Sequence, residues 1–155
     1  MFLTARNKSL DITHLKTVIF DMDGTLIESE HVWAEAKKHI AEIYGQKDSD
    51  EELQKFIGRG ISDFIDEVFG PTTVFKKEMI KQEIHVRALD NYRAKIRVIP
   101  NATKILNDFS SSEIRIAICS SGPLEAIKQS LEALKSTKMI EVIVSGDALD
   151  FGKPH

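Results

Sequence analysis

Two rhythms of apolar residues alternate along the chain, and the places where one gives way to the other divide it. After an adjustable, mostly polar lead-in over residues 1–15, the short apolar run Val18-Ile19-Phe20 predicts a strand from Lys16 to Phe20, buried on both faces. From Ser29 the period becomes helical. Val32, Trp33, Ala36, Ile40, Ile43 and Tyr44 fall on one face, with Ser29 as N-cap and Gly45 as the stop. Ser49 and Glu52 form a capping box for a short helix carrying Leu53, Phe56 and Ile57, which Gly58-Arg59-Gly60 ends. A third helix runs from about Ser62 to Phe69, and a long fourth, from about Thr73 to Lys95, carries Ile80, Ile84, Ala88 and Tyr92. Helix and strand then alternate: a helix from Pro100 to about Ser110, a strand over Ile114–Cys119, a helix opened by Pro123 as its first residue, and a strand over Met139–Ser145.

Alternation at both ends of the chain predicts an α/β fold with a parallel sheet. The successive helices between, with no strand among them, read as an insertion that buries its own apolar stripes. The expected division is a core of residues 1–28 and 98–155 with a helical unit of residues 29–97.

Composition narrows the partners. A formal net charge of −3 gives no sign of a polyanion-binding surface, so nucleic acid is not expected. The single cysteine, Cys119, excludes an internal disulfide, fits a reducing compartment and is expected to be an inert buried thiol. The N-terminus lacks a continuous apolar segment with a small-residue cleavage site, and no run is long enough to cross a bilayer, which points to a soluble, cytoplasmic protein with no membrane partner.

The chemistry gathers at strand ends. The first apolar run stops at Asp21 and Asp23, one residue apart and followed by Gly24. Ligands of open α/β sheets sit beyond the carboxyl ends of the strands. Two carboxylates there repel one another unless a cation or proton intervenes, so the pair suggests a hard metal, acid/base work or both. An EF-hand loop would need glycine sixth and glutamate twelfth, whereas here glycine is fourth and Val32 twelfth; a plain Asp-Gly turn remains open. The second strand runs into Ser120-Ser121-Gly122-Pro123, where a turn of small residues meets a helix N-terminus, an arrangement that binds anions. Ser120 taken alone reads as a helix cap.

The string FDMDGTL, with Ser120 and Lys153 following in order, resembles the signatures of the haloacid dehalogenase superfamily of aspartate-dependent phosphotransferases. The resemblance implies a Rossmann-like parallel core with an inserted helical cap. It implies that Asp21 attacks phosphorus, that Asp23 is the acid and base, and that Ser120, Ser121 and Lys153, within Gly152-Lys153-Pro154, bind the phosphoryl group. It also implies Mg2+, held by the Asp21 carboxylate and the Asp23 backbone carbonyl. The residues after Asp23 resemble the branch of sugar-phosphate phosphatases and β-phosphoglucomutase-like enzymes, in which the mutases carry a histidine where Trp33 stands. The expected activity is therefore hydrolysis of a small phosphomonoester, with a phosphomutase or an impaired binding and dimerising module as alternatives. Arg59 is a candidate for the substrate beyond its phosphate, or a solvated loop charge. The chain stops within the family's third signature, before the acidic pair that completes its metal site. It is thus expected to be a fragment of a longer product, incomplete at the C-terminus, with the Asp21 strand as an apolar edge able to drive self-association.

Overall fold

The computed structural model describes residues 2–5, 8–46, 55–56, 59–149 and 153. The expected short helix around Leu53 and Ile57 lies outside them, apart from Phe56, which is buried. The lead-in is a hairpin: β1 (Phe2–Ala5) pairs antiparallel with β2 (Lys8–Asp11). Strands of four mixed residues, held by backbone bonds, leave no readable period-two pattern, which is why the sequence reads as a loop there.

The centre of the molecule is a parallel sheet. The first of its strands is β3 (Thr17–Phe20), after which the chain turns tightly into β4 (Ile27–Glu28) and enters the helices. These are α1 (Glu30–Ile43), α2 (Ile61–Phe69), α3 (Val74–Leu89) and the single turn α4 (Tyr92–Lys95). Gly45 and Gly70 end two of them at φ +76° and +65°. The long helix expected to reach Lys95 breaks, because Asn91 adopts φ 55°, a left-handed conformation that asparagine tolerates better than most residues. The chain returns along β5 (Arg97–Val98), antiparallel to β4, so a two-rung clasp closes the neck of the insert. Then follow α5 (Ala102–Ser111), β6 (Arg115–Ser120), α6 (Leu124–Ala133) and β7 (Ile140–Ser145).

The sheet order is β3-β6-β7, and both pairings are parallel. Successive strands step in one direction, so right-handed crossovers carry α5 and α6 to the same face. Burial agrees. Phe20, Ile116, Ile118 and Ile143 belong to the packed face, where Phe20 meets Phe109 of α5 at 5.9 Å, whereas Ile19 (67% exposed), Val142 and Val144 look outward. The expectation that β3 is buried on both faces therefore fails on one side, and Cys119, on that side, is half-buried rather than sealed. In the insert, α1 packs on α3, and Phe64 sits edge-on to Phe56 and Phe69 in a small aromatic core. Among the described residues no helix is long and apolar enough to cross a membrane.

Candidate active site

The turns that follow β3 and β6 open onto one pocket of about 130 Å³, lined from the core by Asp21, Asp23, Ser121, Gly122 and Lys153, and from the insert by Glu30, Trp33, Lys37, Phe56 and Arg59. Asp21 directly follows β3 and is about half exposed; its Oδ1 accepts from the Lys153 ammonium at 2.8 Å, across most of the sequence. The turn after it is compact. Gly24 donates to the Ile27 carbonyl at 2.8 Å, and Leu26 and Ile27 both donate to the Met22 carbonyl. Gly24 sits at φ +73°, a conformation that calls for glycine, whereas the nearest atom to a Cβ there would be the flexible tip of Glu30, its Oε1 at 3.0 Å.

Asp23 is gripped from two sides. Its Oδ1 accepts from the Ser29 hydroxyl, and its Oδ2 accepts from Ser120 Oγ at 3.0 Å. Ser120 in turn accepts from the Gly122 amide at 3.0 Å and is fully buried, so of the two serines of this turn it is Ser121 that lines the pocket. The turn is braced from β7 by Ser145, whose hydroxyl donates to the Gly122 carbonyl at 2.8 Å. Pro123 takes the N-cap of α6 rather than its first turn. Ser29 occupies the N-cap of α1, but its side chain makes no capping bond because it turns to Asp23 instead.

The expected site residues Asp21, Asp23, Ser120, Ser121 and Lys153 are thus brought together, with Arg59 lining the same pocket; Gly152 and Pro154 lie outside the described residues. Arg59 pairs with Glu67 at 3.0 Å and Asp63 at 3.6 Å. His31 bonds the Lys95 carbonyl at 3.2 Å, whereas Trp33 lines the pocket. Two participants were missed. Tyr92 is buried beneath the site, and burial, then the charge of Asp23, raise its phenol above the ordinary range. Lys37 lines the pocket while almost wholly buried; burial, then the Arg59 charge, pull its ammonium down to about 8, with Asp63 opposing. A lysine at an apolar helical position was the one available signal for it.

For a metal, the described residues gather no group of three or more His, Cys, Asp or Glu. Two hard oxygen donors are nonetheless on offer: the Asp21 carboxylate, and the Asp23 carbonyl, which accepts no backbone hydrogen bond among the described residues. Mg2+ accepts such a set with water in its other positions.

Fold and site together define the class, an α/β core with paired acids at its strand ends and a helical insert over them. The chain belongs to the haloacid dehalogenase-like hydrolase family, whose profile matches residues 18–155. It is 26% identical over 144 residues to a phosphorylated carbohydrates phosphatase of Thermotoga maritima, covering 90% of this chain and 65% of that one. It is 30% identical over 142 residues to a phosphoglycolate phosphatase of Cereibacter sphaeroides, covering 88% and 65%. The chain therefore spans a little under two thirds of the length of these curated relatives. Its fold is similar to the crystal structure of a haloacid dehalogenase-like hydrolase from Bacteroides fragilis, with a TM-score of 0.80, 23% identity, and coverage of 91% of this chain and 68% of that one.

Proposed function

We propose that the chain is built to hydrolyse a small phosphomonoester through an aspartyl phosphate. The observation that carries this reading is the pairing of Asp21, at the end of β3, with Lys153 at 2.8 Å, beside an Asp23 held by Ser29 and by Ser120 at the end of β6. Asp21 Oδ attacks phosphorus as the ester P–O bond breaks. Asp23 donates a proton to the leaving oxygen, then takes one from the water that cleaves the acyl phosphate and frees inorganic phosphate. Lys153, the Ser120 and Ser121 turn and the N-terminal amides of α6 offset the charge of the phosphoryl oxygens. The Asp21 carboxylate and the Asp23 carbonyl are the groups that would hold Mg2+, which when bound would offset the charge of the phosphoryl group. The core is residues 1–28 and 98–155, and residues 29–97 form a cap that excludes water and meets the rest of the substrate. Trp33 in the pocket, with His31 turned to the Lys95 carbonyl, supports hydrolysis over phosphoryl return to a sugar.

The test is release of phosphate from p-nitrophenyl phosphate and hexose phosphates with added Mg2+. Asp21→Asn is expected to abolish it, and Asp23→Asn to slow it by roughly 10²–10⁴-fold, the range for losing a general acid and base. No release by the unaltered chain at high Mg2+ would leave a binding module in its place.

A further inference from the structure

The insert's side of the pocket carries two cations, and they are unequally satisfied. The Arg59 guanidinium is held by Glu67 and Asp63 and lies 5.1 Å from the Phe56 ring centroid. Lys37, on α1, is 6% exposed and lines the same pocket. Its ammonium donates to one carbonyl, that of Phe56, at 3.3 Å, and stands 5.6 Å from the Phe64 ring centroid. None of the ion pairs among the described residues includes it. An ammonium has three donors, and burying one without an anion is costly. The pocket's acids do not answer it: Asp21 is engaged by Lys153, Asp23 by two serines, and Glu30 packs beside Gly24.

We propose that Lys37 docks a second anionic group of the substrate, so that the pocket selects phosphomonoesters bearing a carboxylate or a further phosphate away from the scissile ester. This rests on the phosphatase reading above. The phosphoryl group occupies the strand-end side, where Asp21 and Lys153 meet, and the remainder of the substrate faces the insert. A neutral sugar would leave the ammonium with hydroxyls; an anion supplies the missing charge. Trp33 and Phe56 line the same pocket and limit the water that would otherwise screen the contact.

The experiment compares kcat/KM for two matched pairs, 2-hydroxyethyl phosphate with 2-phosphoglycolate and fructose 6-phosphate with fructose 1,6-bisphosphate. It uses the 155-residue chain, Lys37→Met and Lys37→Arg. The acidic member of one pair is expected to be preferred by about tenfold or more, chiefly through KM, which is the scale of one charge-assisted hydrogen bond. The pair that shows it tells carboxylate from phosphate. Lys37→Met collapses the ratio and Lys37→Arg restores part of it. An unaltered chain with no preference, or a Lys37→Met variant that keeps the ratio while both members fall together, overturns the proposal. If no phosphate is released at all, the phosphatase reading fails by itself, and calorimetric binding of the same pairs to Asp21→Asn decides this one. An acidic preference lost on adding Lys37→Met supports it; equal or undetectable binding overturns it.

Discussion

Ser29 does at residue scale what no local pattern reveals. A serine before an amphipathic run reads as a cap, yet its hydroxyl crosses the turn to Asp23, a contact that exists only once β3 and α1 are folded against each other. Ser29→Ala is expected to lower kcat about tenfold with KM little changed, as for loss of a hydrogen bond of about 1.5 kcal/mol to a charged group, checked by steady-state phosphate release. At Gly24, alanine would be forced into the left-handed region, so Gly24→Ala is expected to cost about 1–2 kcal/mol in urea denaturation. Lys37 gives a pH signature. Its ammonium titrates near 8 in the folded chain and at an ordinary 10.5 in the unfolded one. Below pH 8 both states hold the proton and the folded state bears the whole burial cost. Between pH 8 and 10.5 the unfolded state holds more protons, so stability rises with pH, by up to roughly 3 kcal/mol. Lys37→Met is expected to be the more stable protein at pH 7 in chemical denaturation; a structural lysine would give the opposite result. Asp21, Asp23, Ser120 and Lys153 stood out in the sequence because together, in that order, they resemble a known family's signatures, whereas Lys37 and Tyr92 acquire meaning only from what surrounds them.

Elements with a strong period and a glycine stop came through the sequence well: α1 and α2 end within a residue or two of where Gly45 and Gly70 predict. The elements that failed to announce themselves are short ones, β1, β2, β4 and β5, fixed by pairing partners rather than by their own composition. A tie from α3 to the turn after β7 was equally invisible. Lys81 Nζ lies 2.9 Å from Asp147 Oδ1, and His85 Nε2, buried and without a hydrogen bond among the described residues, lies 3.6 Å from the same oxygen. Burial, outweighing Asp147, holds the His85 imidazole below its ordinary range. The unfolded chain takes up that proton at about pH 6.5 and the folded chain only at lower pH, so the contribution is full above 6.5 and is lost as pH falls beneath it. Urea midpoints at pH 7.5 and 5.5 are expected to diverge less in His85→Leu than in the parent. Asp147→Asn, which leaves Lys81 without its ion pair, is expected to lower stability by about 1 kcal/mol or more and to raise proteolytic nicking near α3.

For the molecule as a whole, the packed face of the sheet is well covered while the other presents Ile19, Val142 and Val144 in adjacent registers. Alternation along β7 shows this face as clearly as any core, but no strand reveals from its own residues which side its helices will take; that is set by the order in which the strands add to the sheet. A contiguous apolar face of this kind promotes association. Ile19→Lys together with Val142→Lys is expected to lower the weight-average mass in sedimentation at tens of micromolar, with little change in circular dichroism. The clasp of β4 and β5 carries a different consequence. It fixes the two ends of the helical insert about 5 Å apart, the spacing of neighbouring strands, and does so with two rungs only. The fold thus contains a ready-made socket: a foreign helical hairpin with closely spaced ends could be spliced in between Glu28 and Arg97, recasting the roof of the pocket without moving Asp21 or Asp23.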